Sequence, residues 1–439
     1  MNKETQDNIE HFENAVWEEF LSTSSHKEIH QSVIEASWDC NVYLLNWFKT
    51  MGSLNKIYMS HKLIFAILIP LIFQSCNNNS ISDLPIINLS KQYPTKNISI
   101  QDIADVEYIT LETRDGFFFT TLCYLDNERI ITKNSLNGDI IFFSRYGKVI
   151  KKVNHYGNGG NEYGQGIFVF FDKKRDELFV CSIMEKKILV YDGEGMFKRV
   201  FIFQNIAFDA MFSLDDNYFL CHDRYLSSPN LYLLISKDDG SMITSYFEAE
   251  FKEKQSLLIM PNGPGARSFP ITQCGKSFFL NPMSLDTIYK TNAKGSPEPF
   301  MVRSPSALSM SIPIYLFALG ETNRYVFLLS RAKIYDPYDE SKQFPSKNLI
   351  YDKLEKVIYT CIFHNEDMPV LKITIPDVFF PDGYVYAQID CSSEYFLRII
   401  PADQLVEQFS KNKLKGELQE IASTLQEDDN PVIMLVKMK

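Results

Sequence analysis

The sequence lacks the cysteine spacing of metal-binding and redox proteins. Its eight cysteines include no CxxC pair and no zinc-ligand spacing. They are spread along the chain, and most lie beside strand-like apolar runs, as Cys181 and Cys221 do. This pattern excludes a cysteine-ligated metal centre. It favours buried free thiols over disulfides, because a free cysteine behaves as a small apolar side chain.

An excess of positive charge is also missing. The chain has 44 Lys and Arg against 55 Asp and Glu, a formal net charge of −11. No basic stripe with interleaved aromatic residues offsets that charge, and a phosphate backbone would be repelled. Nucleic acid is therefore excluded as an expected partner.

No apolar run is long enough to span a bilayer. The run from Leu63 to Phe73 has eleven residues, which as a helix would cover about half of a hydrocarbon core of roughly 30 Å. A short basic stretch at His61 and Lys62 precedes it, and Ser75-Cys76 closes it. This layout is typical of a secretory signal peptide. The sequence therefore predicts a signal peptide over 59–75 followed by a polar tether over 76–103.

Tryptophan is absent after residue 47, which sets residues 1–58 apart in composition. This segment is either a small cytoplasmic or regulatory piece or lies upstream of the true start at Met51 or Met59, and the second interpretation is favoured. His26 and His30 have helical metal-ligand spacing, but Lys27 stands where a zinc-protease motif needs glutamate. A solvated helix face explains them better, so no metal or other cofactor is expected.

Strand patterns are what the rest of the chain contains, in keeping with its 34 Phe and 23 Tyr. Ile140–Ser144, a turn at Arg145-Tyr146-Gly147 and a strand to Val153 form a hairpin pattern that recurs. The recurrences begin near Ile188, Tyr232, Ile288, Leu349 and Tyr395. Clusters such as Asp126-Asn127-Glu128 and Asp215-Asp216-Asn217 are expected to open inner strands, because Asp and Asn initiate turns.

Six such units predict an all-β, six-bladed β-propeller over 104–439, with a short C-terminal helix and a closing strand. The expected blades are 114–158, 164–205, 207–250, 266–303, 315–364 and 374–400. Either Val106–Leu111 or Val432–Lys437 is available to complete the last blade and so remove an exposed edge. Apolar residues at helical spacing predict a helix within 402–426.

Three motifs carry a resemblance to a known family. They are the hairpin at 142–147, the glycine-rich loop Gly157–Tyr163 and the C-terminal stretch Glu427–Val432. Together they resemble the six-bladed β-propeller lipoproteins of Gram-negative gut bacteria, which are distantly similar to NHL-repeat propellers. The family loop usually reads G-x-G-P-G-E-Y, whereas this chain has Gly160 and Asn161 at the Pro and Gly positions. The resemblance implies a propeller fold and lipidation at Cys76, and it does not cover residues 1–58.

Candidate functional residues are few. The glycine-rich loop lacks the Lys-Ser/Thr of a phosphate-binding loop and precedes a strand, so it is expected to connect blades. Cys221-His222 is a poor nucleophile pair because adjacent strand residues point to opposite faces. Polar residues near the expected ends of inner strands are instead predicted to line the mouth of the central channel; they are His222, Asp223, Arg224, Arg331 and Asp390.

The function predicted from these observations is a lipid-anchored, extracytoplasmic binding or interaction module, held in the cell envelope by an acylated Cys76. Its partner would be a glycan, a peptide or another envelope protein. No catalytic constellation is evident. The alternative is a propeller hydrolase or lyase acting on a carbohydrate or lactone, which would need convergent carboxylates or a metal at the channel.

Overall fold

The computed structural model describes residues 84–164, 166–182, 185–203, 208–223, 230–248, 266, 268–292, 296–369, 388–389 and 395–439. The predicted N-terminal segment, the signal peptide and the first part of the tether lie outside these ranges. Most of the described residues form β-strands arranged in six sheets. No helix in these ranges is long and apolar enough to cross a membrane.

Each of the first three blades contains an antiparallel set of four consecutive strands, to which blade 1 adds a fifth, parallel strand. Blade 1 consists of β4 (Thr121–Leu125), β5 (Arg129–Lys133), β6 (Ile140–Ser144) and β7 (Val149–Val153). Blade 2 consists of β8 (Ile167–Asp172), β9 (Glu177–Ser182), β10 (Lys187–Asp192) and β11 (Phe197–Ile202). Blade 3 consists of β12 (Phe208–Ser213), β13 (Tyr218–Asp223), β14 (Asn230–Ser236) and β15 (Met242–Glu248). A short strand, β24 (Gln388–Ile389), pairs in parallel with β4.

Blades 4 and 5 each carry a fifth strand from the N-terminal part of the chain. Blade 4 consists of β16 (Ile271–Cys274), β17 (Ser277–Leu280), β18 (Thr287–Asn292) and β19 (Glu298–Ser304), extended by β1 (Ile86–Asn88). Blade 5 consists of β20 (Ile314–Glu321), β21 (Tyr325–Ala332), β22 (Ser346–Asp352) and β23 (Val357–His364), extended by β2 (Thr95–Ser99). Both added strands run parallel to the outer strand they cover.

Blade 6 joins the two ends of the described chain. It consists of β25 (Tyr395–Ile400), β26 (Val432–Met438) and β3 (Ala104–Ile109), with β26 in the middle. A short helix, α1 (Ile100–Ile103), leads from β2 into β3. Two further helices, α2 (Ala402–Ser410) and α3 (Gly416–Ala422), lie between β25 and β26 and bury Leu405 and Leu418.

Each pair of neighbouring blades encloses its own apolar core. The core between blades 2 and 3, for example, contains Phe179, Phe219 and Leu233, all fully buried. The core between blades 6 and 1 contains Ile399 and Ile433 from one sheet and Ile141 from the other. Since a blade buries its faces only against its neighbours, this arrangement closes the ring and makes the fold a six-bladed β-propeller.

The structure confirms the propeller, the hairpin formed by Ile140–Ser144 and Val149–Val153, and the C-terminal helical segment. Both strands that were candidates for closing the ring take part, because β26 pairs with β25 on one side and with β3 on the other. The Asp126 carboxylate accepts hydrogen bonds from the backbone N–H groups of Glu128 and Arg129, each at 2.7 Å. Asp215 does the same for Asn217 and Tyr218. These turns lead into the second strand of a blade, however, and not into the inner one.

The tether expected over 76–103 also differs from the structure. From Ile86 onward this segment is part of the propeller, since β1 and β2 cover the outer edges of blades 4 and 5. Backbone pairing explains the difference, because an outer strand offers unpaired N–H and C=O groups to any extended segment nearby. Residues 76–83 lie outside the described part of the chain.

Five of the eight cysteines fall among the described residues, and all five are free and buried. Burial raises the pKa of the Cys123, Cys181 and Cys361 thiols to about 12. The thiols therefore stay protonated and unreactive. This confirms the prediction of buried free thiols for these five residues.

Blades 1 to 5 have two opposite faces, named here the loop face and the turn face. The loop face carries the connections between blades and those between second and third strands. The turn face carries the shorter turns between first and second strands and between third and fourth strands. In the hairpin turn of blade 1 on the turn face, Gly147 has a φ of +79°, and a Cβ there would lie 1.9 Å from the Thr110 carbonyl oxygen. Only glycine fits this turn.

Candidate functional site

His222 and Asp223 lie at the end of β13, on the loop face of blade 3. They pair with Ala210 and Phe208 near the start of the first strand of that blade. Both are buried, with 9% of His222 and none of Asp223 exposed. The His222 ring lies 5.1 Å from the ring of Tyr232, whose hydroxyl donates a hydrogen bond of 3.0 Å to the Pro270 carbonyl oxygen. Tyr232 thus ties blade 3 to the segment that enters blade 4.

Arg331 occupies the corresponding position in blade 5. It lies near the end of β21 and pairs with Tyr315 of β20. Its Nε donates a hydrogen bond of 2.8 Å to the Ser346 hydroxyl, and its guanidinium lies 5.8 Å from the Phe269 ring. Burial lowers the pKa of the Arg331 guanidinium from its ordinary value, and an arginine side chain stays protonated in proteins. Arg331 is therefore a half-buried, permanent cation.

A second cation, Arg303, lies between the positions of His222 and Arg331 and was missed by sequence reasoning. It is 3% exposed at the end of β19 and lies 5.7 Å from the Tyr315 ring. Its Nε donates to Asp286 at 3.2 Å, and its Nη2 donates to the carbonyl oxygen of Met283 at 2.5 Å. Burial lowers the pKa of Arg303, while Asp286 and the phenols of Tyr315 and Tyr232 act in the opposite direction.

These contacts join His222, Tyr232, Arg303, Tyr315 and Arg331 into one polar cluster across blades 3, 4 and 5. The cluster is largely buried, so its main effect is to hold the connections of the loop face in place. The sequence signal for Arg303 is an apolar run that ends in a lone arginine at the end of a strand, as in Met301-Val302-Arg303. It was not distinctive, because most such arginines are exposed.

Of the five residues predicted at the channel mouth, His222 and Asp223 are sequence neighbours at the end of β13. Arg331 lies two blades away on the same face. Arg224 and Asp390 lie outside the described residues, as does Cys76. Among the described residues, no group of three His, Cys, Asp or Glu side chains could hold a metal ion.

The glycine-rich loop links β7 to β8, as expected for a connection between blades. The Tyr163 hydroxyl donates to the Gly138 carbonyl oxygen at 2.9 Å and accepts from the His155 backbone N–H at 3.0 Å. The Glu162 carboxylate accepts from the Gly159 N–H at 2.7 Å, so the loop already holds its own anion. A bound phosphate would compete with that carboxylate.

The loop face of blade 1 exposes an apolar patch, defined here as Phe118, Leu136 and Tyr156. Their exposed fractions are 39%, 82% and 44%. The Asn134 side chain holds two of the three loops together, because its amide donates to the Phe118 carbonyl oxygen at 3.0 Å and its oxygen accepts from the Leu136 N–H at 2.9 Å. Gly138 approaches Tyr156 so closely that a Cβ there would lie 2.8 Å from the Tyr156 Cβ.

More exposed apolar residues lie on the same face, in the connections of blades 4 and 5. They are Leu308, Ile312 and Tyr338, with exposed fractions of 54%, 43% and 97%. The turn face has Tyr146, Met196 and Leu354, each at the tip of a different turn. Exposed apolar side chains held together in a patch are typical of interaction surfaces, whereas scattered ones are ordinary. The apolar patch of blade 1 is therefore the better candidate for a contact surface.

Comparison with known proteins gives a family and a fold. A family model described as a domain of unknown function, DUF4934, matches residues 84–437. An exported protein of Bacteroides fragilis is similar in structure, with a TM-score of 0.55 and 16% identity over 81% of this chain and 99% of that chain. A DUF4221 family member from Bacteroides vulgatus has a TM-score of 0.43 and 12% identity, covering 77% of this chain and 99% of that chain. No curated protein matches.

Proposed function

Because the chain belongs to the DUF4934 family, a domain of unknown function, we propose a function from its surface: a non-catalytic interaction module that binds a protein partner through the loop face. The single observation that carries this proposal is the apolar patch of Phe118, Leu136 and Tyr156. Its loops are tied together by hydrogen bonds, so the patch is preformed. A preformed apolar surface binds at a small cost in conformational entropy.

The side chains of the patch favour a protein or peptide over a glycan. Leu136, the most exposed of the three, is aliphatic and has no polar group with which to bond to sugar hydroxyls. Phe and Tyr are enriched among the anchor residues of protein interfaces. The hydrolase or lyase alternative gains no supporting observation among the described residues.

The proposed location is the cell envelope, outside the cytoplasm, with a lipid anchor at Cys76. The signal-peptide layout before Cys76 supports this location, and so does the fold shared with a Bacteroides fragilis protein that is named as exported. The intact mass and N-terminal peptide map of protein from its native envelope test the anchor. An acylated chain starting at Cys76 is expected, and an unacylated chain containing Trp17 or Trp38 would contradict it.

Site-specific photo-crosslinking in the native envelope tests the interaction itself. A photoreactive residue at position 136 is expected to give a discrete adduct with a single protein. The same residue at Tyr146, which is 88% exposed on the turn face, serves as the matched control. An adduct at both positions, or at neither, would overturn the proposal.

Melting temperature in the presence of divalent metals tests the enzymatic alternative. A ligand that binds only the native state raises the melting temperature. We expect no shift with any single ion. A large shift with one ion would instead favour a metal-assisted hydrolase or lyase.

A further inference from the structure

The segment between β1 and β2 forms a groove against blade 5. This strap, residues 89–94, is fixed at both ends: the Leu89 N–H donates to the Ser304 carbonyl oxygen at 2.7 Å, and the Thr360 N–H donates to the Pro94 carbonyl oxygen at 3.0 Å. The groove has a volume of about 280 Å³. Ligand pockets span roughly 300–1,000 Å³, so this groove lies just below that range and has room only for a small molecule.

One sheet face supplies the floor of the groove. Ser330 pairs with Lys347 across β21 and β22, and Leu349 pairs with Thr360 across β22 and β23. Since side chains two residues apart on a strand share a face, all four lie on the same side of blade 5. The strap supplies the other wall, and its lining residues are Leu89, Lys91, Gln92 and Tyr93.

Three polar side chains of this groove, Ser330, Lys91 and Lys347, make no hydrogen bond or ion pair within the described residues. Ser330 is only 6% exposed, yet its hydroxyl makes no hydrogen bond to any of them. Neither Lys91 nor Lys347 forms an ion pair or a side-chain hydrogen bond with the described chain. The Ser330 oxygen is not fully buried, so it is open to solvent and able to bond to a molecule in the groove. The groove thus offers a hydroxyl and two ammonium groups that are free to bind an acceptor.

Charge identifies the kind of acceptor. The lining contains two lysines and no acidic residue, in a chain whose net charge is −11. Lys91 and Lys347 are both exposed, and the lining places no carboxylate beside them, so their positive charges are available to an anion. Ammonium groups and a hydroxyl are suitable donors to an oxyanion. Leu89 and Leu349 add an apolar surface next to these donors.

We propose that this groove binds the carboxylate or sulfate group of a small organic ligand of about monosaccharide size. Lys91 and Lys347 neutralise the oxyanion, the Ser330 hydroxyl donates to it, and the leucines contact the body of the ligand. The proposal is independent of the apolar patch on blade 1. No covalent step is involved.

The site also depends on the strap, residues 89–94, being held in place. Tyr93 holds the strap in shape, because its hydroxyl accepts from the Asn88 N–H at 2.9 Å and donates to the Asn88 carbonyl oxygen at 3.0 Å. The wall of the groove is therefore positioned before a ligand arrives. A preformed site binds with little loss of conformational freedom.

Calorimetric titration of the full chain tests the proposal, with D-glucuronate and glucose 6-sulfate as anionic probes and D-glucose as the neutral control. At least one anionic probe is expected to bind saturably, and D-glucose is not. Lys347→Gln is expected to weaken that binding about tenfold, since a charge-assisted contact is lost. Ser330→Ala is expected to weaken it about threefold, since one neutral hydrogen bond is lost.

Lys148→Gln is the matched control, because Lys148 is an exposed lysine in the hairpin turn of blade 1, far along the chain from the groove. It should leave binding unchanged. Equal weakening by Lys148→Gln would overturn the proposal, as would the absence of saturable binding with both probes. Binding of inorganic sulfate as tight as that of the organic probes would also overturn it, because the leucines would then contribute nothing. Unchanged melting temperatures will show that the variants fold.

Discussion

Two blade junctions of this propeller place lysine beside a serine hydroxyl, with opposite outcomes. At the junction of blades 2 and 3, Lys237 is 2% exposed and its ammonium donates to Asp172 at 2.9 Å and to the Ser213 hydroxyl at 2.7 Å. At the junction of blades 4 and 5, Lys347 and the Ser330 hydroxyl have neither a counter-charge nor a hydrogen-bond partner within the described residues. The same side-chain types have hydrogen-bond and ion-pair partners at the first junction and lack them at the second.

The difference separates groups that hold the fold from groups that are available to a ligand. Lys237 has its charge balanced and its protons accepted, and a buried ion pair of this kind persists only with such geometry. Nearby, Arg199 donates to both oxygens of Glu177, at 2.6 and 2.7 Å, and to the Lys237 carbonyl oxygen at 3.0 Å. The junction of blades 2 and 3 is a closed network, whereas the groove at blades 4 and 5 is open.

Lys237→Met should have the largest effect, because it removes the closer cation of the buried Asp172 carboxylate at 2.9 Å and leaves only Arg175 at 3.8 Å. Removing one partner of a buried pair costs about 3–5 kcal/mol. We expect a loss of this size in the free energy of unfolding, measured by urea denaturation. Lys347→Met is the matched control and should have almost no effect. A loss below about 1 kcal/mol for Lys237→Met would erase the distinction between the two junctions.

Acidification should have the second largest effect, on the junction of blades 2 and 3. Burial would raise the pKa of Glu177, but the hydrogen bonds from Arg199 and Lys198 outweigh it and lower the pKa below the ordinary value of 4.5. A lowered pKa stabilises the fold above the unfolded pKa, and that contribution disappears as the pH falls through the folded pKa. The melting temperature should therefore fall as the pH drops below 4.5.

Glu177→Gln should make this pH dependence shallower, because the variant has no proton to take up at that position. The measurement is the melting temperature at a series of pH values between neutrality and acid. Glu298→Gln, an exposed position at the start of β19, should leave the slope as in the wild type. Identical slopes for all three proteins would show that Glu177 does not stabilise the junction.

The sequence predicts the blades well because their signals are local. Alternating apolar residues and a turn residue such as Asp126 or Gly147 lie within a few positions of each other, and each hairpin needs no distant partner to be recognised. Ring closure was also accessible, since β3 and β26 are the strands left over at the two ends of the predicted ring.

Neither the strap nor the polar junctions could be predicted in this way. β1 is three residues long, and its pairing depends on the free edge of β19, which lies more than two hundred positions along the chain. Lys237 and Asp172 come from different blades, as do Arg303 and Tyr315. Sequence periodicity shows which face of a strand is buried, but it does not show which polar groups meet there.

Serine substitutions at the two junctions should have smaller effects. Ser213→Ala removes an acceptor from the Lys237 ammonium and should cost about 1 kcal/mol of unfolding free energy. Ser330→Ala removes a hydroxyl without a partner in the described residues, and its effect should be within about 0.5 kcal/mol or stabilising. Urea denaturation of both variants measures the difference. Equal losses would mean that the two hydroxyls play the same structural role.

The smallest expected effect belongs to the lysines of the groove. Lys91→Met and Lys347→Met each remove a charge without a counter-charge in the groove, so each should change the unfolding free energy by less than about 0.5 kcal/mol. If the two ammonium groups repel one another, each single substitution should raise the free energy of unfolding slightly. The double variant should raise it by less than the sum of the two single increases, because the first substitution already removes the repulsion. A double-mutant cycle in urea, in a buffer free of oxyanions, measures this coupling. A loss above about 1 kcal/mol for either single variant would mean that the lysine holds the fold, as Lys237 does.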